Sequence, residues 1–364
     1  GPAICTGAIR YRATASGQDP AERRAGSGRD MTSSLQRETD QTATAETPLS
    51  LAVYLTFHYV EARLGYLVRA VRSLYEIPAV RKDFFIYVND VGSAEIEAIR
   101  AALQAAGIGD GVEIRPCRDL EHPYLLTWAH KPDLRRAVLS KENGYTHFIY
   151  IEDDEEITES QFAYFLKYLD PLKTKGLIPG FYRVEGNDET GETVSTDQEK
   201  RVDLGVRPHV RLGDLAFVDL KNPYMGSFIL DRELATEYVG SLSFDLVGST
   251  LRRNWGPRER AAMGLTFEKP PFPFVSRVVH PVDVRTLVPA AEAFIRHLPN
   301  TYGNDPDSPL GSLPIDSVFS GTLTAPPFPR LLLRYAGSRG RTAQRFLRVS
   351  VKNRFAPRSK VIKV

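Results

Sequence analysis

The sequence predicts an α/β protein built on a mixed, mostly parallel sheet with helices on both faces. Two observations carry this expectation. Strand-length apolar runs alternate with segments of helical spacing between residues 51 and 169, and the strongest of those runs stop at polar clusters. The composition agrees, with 364 residues of which 42% are hydrophobic and 25% charged, enough for one large core or two smaller ones.

Residues 51–58 (LAVYLTFH) open the ordered part as a strand, and 61–75 follow with Leu64, Leu67, Val68, Val71 and Leu74 on one helical face. A second strand at 83–88 ends in Asn89-Asp90. A helix at 94–106, a short strand at 112–116 and a helical pattern at 125–139 come next. The β-prone run 147–151 (HFIYI) halts at Glu152-Asp153-Asp154, and 160–169 returns to helical spacing. Three polar clusters thus fall at strand ends, at 56–58, 89–90 and 152–154, where parallel sheets bind ligands. From about residue 176 the pattern changes to short strands and turns, which reads as a second half sharing the same sheet.

Residues 1–48 are rich in small and polar residues and read as a flexible leader. Within it Gly1-Pro2 reads as a protease scar and Met31 as a candidate natural start. The body is 49–308, divided into 49–175 and 176–308. Residues 309–364 read as a linker followed by a basic tail.

Charge is unevenly distributed. Residues 326–364 hold eleven Lys and Arg and no acid, which leaves 1–325 at about −9 out of a net +2. An acidic body repels phosphate backbones, so a nucleic-acid partner is excluded. Cys5 and Cys117 are too far apart in sequence to make a redox pair or a zinc knuckle. No apolar run nears the roughly 18 residues that span a bilayer, and no signal peptide is evident. The expectation is a cytoplasmic protein whose tail, through modestly amphipathic stretches, offers peripheral contact with anionic lipid at the inner face of a membrane.

The sharpest chemical feature is the run Glu152, Asp153, Asp154, Glu155, Glu156 placed directly after FIYI. Consecutive acids at a strand end repel one another unless a cation or a helix N-terminus shares their charge. Hard carboxylate oxygens suit Mg²⁺ or Mn²⁺, which take one or two carboxylates and leave room for water and phosphates. The competing reading makes Glu155, Glu156 and Glu159 first-turn charges of the next helix, with Thr158 or Ser160 as cap.

An apolar strand entering an acid-x-Asp signature after β-α-β-α units resembles the GT-A glycosyltransferases, a Rossmann-like superfamily using nucleotide-sugar donors. FIYIEDD stands where that superfamily has its DxD motif, with Glu replacing the first Asp. The resemblance implies metal contacts from Asp154 and Glu152, with Asp153 a substitute for either. It places His58 and Asp90 near base and ribose, and His130, Lys131 and Arg135 near the donor pyrophosphate. His297 fits a late third metal ligand, with His280 a rival. Glu259, in the first turn of a Pro-led helix, is the candidate base that deprotonates the acceptor, and Asp245 is the alternate. The superfamily implies a nucleoside diphosphate sugar as donor and a glycan, lipid-linked or other hydroxyl as acceptor, as in polysaccharide biosynthesis.

Other chemistries fail on spacing. The chain has no phosphate loop of the GxxxxGK type, no G-x-S-x-G elbow, no H-E-x-x-H and no GxGxxG after its first strand. A nucleotidyltransferase of the same fold is the alternative, weakened because HYVEARLGY lacks a Gly-rich basic loop. A non-catalytic transferase-like binding protein is the other.

Overall fold

The computed structural model describes residues 48–355, with side chains to 345, so the leader read at 1–48 lies outside it apart from Pro48. In chain order the first half contains β1 (Ser50–Phe57), α1 (Leu64–Tyr75), β2 (Arg81–Val88), α2 (Ser93–Ala105) and β3 (Val112–Pro116). It continues with α3 (Lys131–Leu139), β4 (His147–Glu152), β5 (Glu155–Glu156) and α4 (Glu159–Lys173). The second half is mostly short strands: β6 (Ile178–Pro179), β7 (Tyr182–Gly186), β8 (Thr193–Ser195), β9 (Val202–Asp203), β10 (His209–Leu212), β11 (Leu215–Val218) and β12 (Phe228–Asp231). After α5 (Arg232–Val239) and α6 (Pro257–Ala261) come β13 (Val278–Asp283), β14 (Phe294–His297), β15 (Leu313–Pro314), β16 (Phe319–Ser320) and α7 (Phe328–Phe355).

The main sheet has the order β12-β4-β1-β2-β3. Strands β4, β1, β2 and β3 are parallel, and β12 closes the edge antiparallel to β4. This is the α/β class the periodicity predicts. The central strand β1 is buried along its whole length, which is why it reads as an unbroken apolar run rather than an alternating one. Right-handed crossovers put α1 and α2 over one face and α3 over the other. Accordingly α1 packs on α2, and α3 packs on α5.

The chain moves from β1 outward to β2 and β3, then returns to place β4 on the opposite side of β1. The sheet order therefore reverses between β1 and β4, and it is there that the carboxyl ends of two strands open a crevice.

The second half extends this sheet through β12 and adds a mixed sheet β15-β8-β7-β14-β5, a four-stranded sheet β10-β11-β13-β6 and the parallel pair β16-β9. The first of these matters most for the crevice. Strand β14 pairs with β5 so that His297 sits opposite Glu155, and Leu298 N–H donates to the Asp154 carbonyl at 2.7 Å.

Two expectations change. Residues 309–326, read as a linker, carry β15 and β16, which pair with β8 and β9 more than a hundred residues earlier. Pairing over that separation leaves no local pattern. The basic tail is helical from Phe328 to Phe355. Among the described residues no helix is long and apolar enough to cross a membrane.

Candidate functional site

The crevice at the β1–β4 junction has a volume of about 230 Å³ and is lined by Thr56 and His58 from the end of β1 and by Glu152, Asp153 and Asp154 from the end of β4. Arg63 and Arg258 line it too, as do Tyr124 and Thr127 from the 3₁₀ segment Pro123–Trp128. A larger concavity of about 820 Å³ lies over α4 and the β10–β11 turn, but it gathers no comparable cluster of buried acids.

The three acids differ in surroundings. Asp153 and Asp154 share one guanidinium: Arg63 Nε–H donates to Asp153 Oδ2 at 2.9 Å and Nη2–H donates to Asp154 Oδ2 at 2.8 Å. Burial pushes Asp153 up to about 7, with the Asp154 charge adding to it and Arg63 opposing. Burial also acts on Asp154, but His297 and the nearby guanidinium groups outweigh it and hold that carboxyl down at about 2. Glu152 is pushed up to about 8, first by burial and then by Asp154, with Arg258 the leading opposing charge. One oxygen of Glu152 (Oε1) and one of Asp154 (Oδ1) are buried without any hydrogen-bond partner. Burying carboxylate oxygens in that state costs free energy unless a cation or donor meets them.

His297 approaches from β14. Its Nδ1–H donates to Glu185 on β7, its Nε2 faces Asp154 Oδ2 at 3.7 Å, and its ring stacks on Tyr302 with centroids 5.3 Å apart. Although burial works against the charged form, the Asp154 and Glu185 carboxylates beside the ring raise the imidazole above its ordinary value. A carboxylate fixing one ring nitrogen while the other points at an acidic cluster is the arrangement that orients metal-binding histidines.

Among the described residues no three His, Cys, Asp or Glu side chains converge to hold a metal ion by themselves. The donor set nevertheless fits a hard divalent cation arriving with phosphate. Such ions take one or two carboxylates and fill the remaining positions with water and substrate oxygens, and the two orphaned oxygens of Glu152 and Asp154 offer that much.

The acidic run continues away from the crevice. Glu155 and Glu156 form β5 rather than a helix start. The helix α4 begins at Glu159, where the side chain of Gln161 accepts from the Thr158 N–H at 2.9 Å in a capping box. Glu155 is fully buried and pairs with Arg183 at 3.5 Å, and Arg183 also pairs with Asp197 at 2.9 Å. Room for Glu155 is made by Gly226, whose φ is +66° and where a Cβ would lie 1.6 Å from Glu155 Oε1.

The remaining expected residues are dispersed. His58 is exposed at the crevice rim. Asp90, at the end of β2, is one strand removed from the reversal point and pairs loosely with Arg118 at 3.7 Å on the surface. His130 and Lys131 are buried beneath the sheet rather than facing a pyrophosphate. The His130 ring stacks on Tyr150 at 4.3 Å, and burial lowers its pKa. Lys131 donates to the Ala261 carbonyl at 3.1 Å and to Tyr238, among Trp128, Phe228 and Phe244; burial drives it well below the ordinary lysine value. Arg135 lies over the Phe244 ring. Asp245 Oδ1 accepts from Val247 N–H and Gly248 N–H, capping the following 3₁₀ turn. Glu259 stands beside Gly256 and Arg258 in α6, next to the crevice wall but not lining it. His280 is enclosed under Gly180, away from the acids.

Arg63, Arg258 and Tyr124 were not anticipated. What marks the two arginines is long-range, since both come from short helical turns and meet the acids at the end of β4 only in the fold.

Searched against protein-family models and against curated proteins, the chain matches none.

Proposed function

We propose that the chain is a GT-A-type, metal-dependent glycosyltransferase that moves a sugar from a nucleoside diphosphate sugar to a hydroxyl acceptor. The observation that carries the reading is the crevice at the strand-order reversal, where Glu152 and Asp154 each keep one buried oxygen without a partner between two guanidinium groups. Asp154 and Glu152 would hold Mn²⁺ or Mg²⁺, and His297, fixed by Glu185 and facing Asp154, would stand beside them as the nearest further donor. When bound, the ion neutralises charge that develops on the leaving diphosphate.

The protein's own groups supply the rest. Arg258 faces the crevice and carries charge that the diphosphate can meet, while Arg63 favours the ionised forms of Asp153 and Asp154 and holds both carboxylates in place. Tyr124, half exposed in the wall, presents an aromatic face on which a nucleobase stacks, a better placed candidate for base contact than Asp90. Thr56 and His58 border the ribose side. The acceptor base is Glu259, because α6 carries its neighbour Arg258 into the wall, whereas the Asp245 carboxylate is occupied in a cap.

The test is thermal unfolding with UDP, GDP, CDP and ADP and their sugars, with and without Mn²⁺. A rise in midpoint for one nucleotide that requires metal, and that Asp154→Ala abolishes, supports the reading. No response to any pair overturns it.

A further inference from the structure

The structure holds a second charged site, of opposite sign and away from the crevice. Where α7 lies against the body, a groove of about 120 Å³ is walled on the body side by Arg207, Lys221, Arg252 and Arg253. Helix α7 adds Arg334, Arg341 and Arg345 from the facing wall. No Asp or Glu lines this groove among the described residues. Two buried acids near it are already engaged: Asp219 faces Arg334 at 2.9 Å, and Glu268 pairs with Arg252 at 2.8 Å.

So many cations converging on one small space repel one another, and solvent relieves this only in part. Arg207, Arg253 and Arg345 are each held below the ordinary arginine value, by burial first and then by neighbouring arginines. Arg207 Nε is buried with no hydrogen-bond partner. The helix is nevertheless seated here: Arg345 donates to the Arg252 carbonyl at 2.8 Å, and Tyr335 packs edge-on against Phe272. A neighbouring concavity shares Arg207, Lys221 and Arg253 and adds Lys200 and Arg201, but there Asp197 and Glu199 line the wall as well, so the acid-free stretch is the groove itself.

We propose that this groove binds a multiply charged phosphate group, the pyrophosphate or phosphomonoester end of a larger molecule. Guanidinium forks match phosphate oxygens two at a time, which favours phosphate over a single carboxylate. Ser338 and Thr342, one turn apart on α7, line the same space; the Thr342 hydroxyl donates to the Ser338 carbonyl, which leaves the Ser338 hydroxyl as a neutral donor. The site shares no lining residue with the crevice, so it stands whether or not the donor-site reading holds.

The experiment is calorimetric titration of the full chain with inorganic pyrophosphate in chelator-containing buffer, where the metal-free acidic crevice repels the anion. Arg341, exposed on α7 and remote from the core, is replaced in Arg341→Gln; Arg253→Gln alters the opposite wall. Each substitution is expected to weaken binding about tenfold, and added salt to weaken it in the wild type. Glu152→Gln is expected to leave it unchanged. A parallel arm uses phosphatidylcholine vesicles with and without phosphatidic acid. Binding that needs phosphatidic acid, is competed by pyrophosphate and is lost in Arg341→Gln identifies a lipid headgroup as the source. Pyrophosphate binding without vesicle binding identifies a soluble phosphate. Absence of both, or equal affinity in wild type, Arg341→Gln and Arg253→Gln, overturns the proposal.

Discussion

Replacing Arg63 with methionine isolates the electrostatics of the acidic crevice. The guanidinium is about one-third exposed, whereas the side chains of Asp153 and Asp154 that it bridges are 7% and 14% exposed. Breaking a fully buried pair by deleting one partner costs about 3–5 kcal/mol, because the charge left behind is uncompensated. Exposure of the arginine reduces that figure, so Arg63→Met is expected to cost about 2–3 kcal/mol in metal-free buffer at neutral pH. Divalent metal then discriminates between explanations. With Arg63 gone, two more carboxylate oxygens join the orphaned atoms of Glu152 and Asp154, and Mn²⁺ should stabilise the variant more than the wild type. At a hundredfold excess over its dissociation constant a ligand contributes about 2.7 kcal/mol, enough to offset most of the loss. Urea unfolding of both proteins, with chelator and with Mn²⁺, measures each quantity. A variant within about 0.5 kcal/mol of wild type in chelator, the range of an ordinary surface substitution, would refute the pairing argument. A cost that Mn²⁺ does not reduce would refute the cation site.

Three further outcomes follow from the packing. His280 is buried, and its pKa falls to about 3, chiefly through desolvation; the unfolded chain therefore takes up the proton first, and stability drops as pH falls below about 6.5. By pH 5 the loss is about 2 kcal/mol, so His280→Leu should lose that much less than wild type between pH 7.5 and 5; equal losses would exclude the group as the source. Gly226→Ala forces a left-handed Cβ into Glu155 and is expected to cost about 2–5 kcal/mol, read from the urea midpoint, with Glu155→Ala in the same chain recovering part of it. A Gly226→Ala protein as stable as wild type would show that the acid does not need this glycine. Asp245→Ala removes a cap, is expected to cost about 1 kcal/mol, and should leave any nucleotide-induced rise in melting temperature intact; loss of that rise would return Asp245 to the site.

The first half of the fold is legible because its signals are local. The apolar runs of β1, β2 and β4 and the helical stripe of α1 are written in consecutive residues, and so is the halt at Glu152. What the sequence hides is long-range. His297 meets Asp154 because β14 pairs with β5, and β15 and β16 exist only through partners far earlier in the chain. His130 and Lys131 misled for another reason. A basic stretch at a helix start reads either as a ligand-facing or as a solvated surface, yet the start of α3 is turned inward, where Tyr238 and the Ala261 carbonyl receive the ammonium.

The charge asymmetry visible in composition acquires a physical meaning from these placements. An acidic body and a basic tail would, as unstructured polyelectrolytes, simply collapse onto one another. Here they do not neutralise. The acids of the crevice meet Arg63 and Arg258 from the body itself, while α7 brings Arg334, Arg341 and Arg345 to a wall that is already cationic. Among the described residues only Asp219 draws one of these three α7 arginines into a salt bridge. Juxtaposing like charges in the folded state costs free energy that the aromatic seat of Tyr335 against Phe272 must offset. If both proposals hold, two charged sites of opposite sign kept apart would let the fold hold two ligands at once, a metal-associated one in the crevice and a phosphate-bearing one beneath α7. The coupling is testable: pyrophosphate at the groove should raise the melting temperature of Asp154→Ala as much as that of wild type, because the two sites share no residue. Failure of that independence would mean that both anions compete for the crevice, and the groove would lose its claim to be a site.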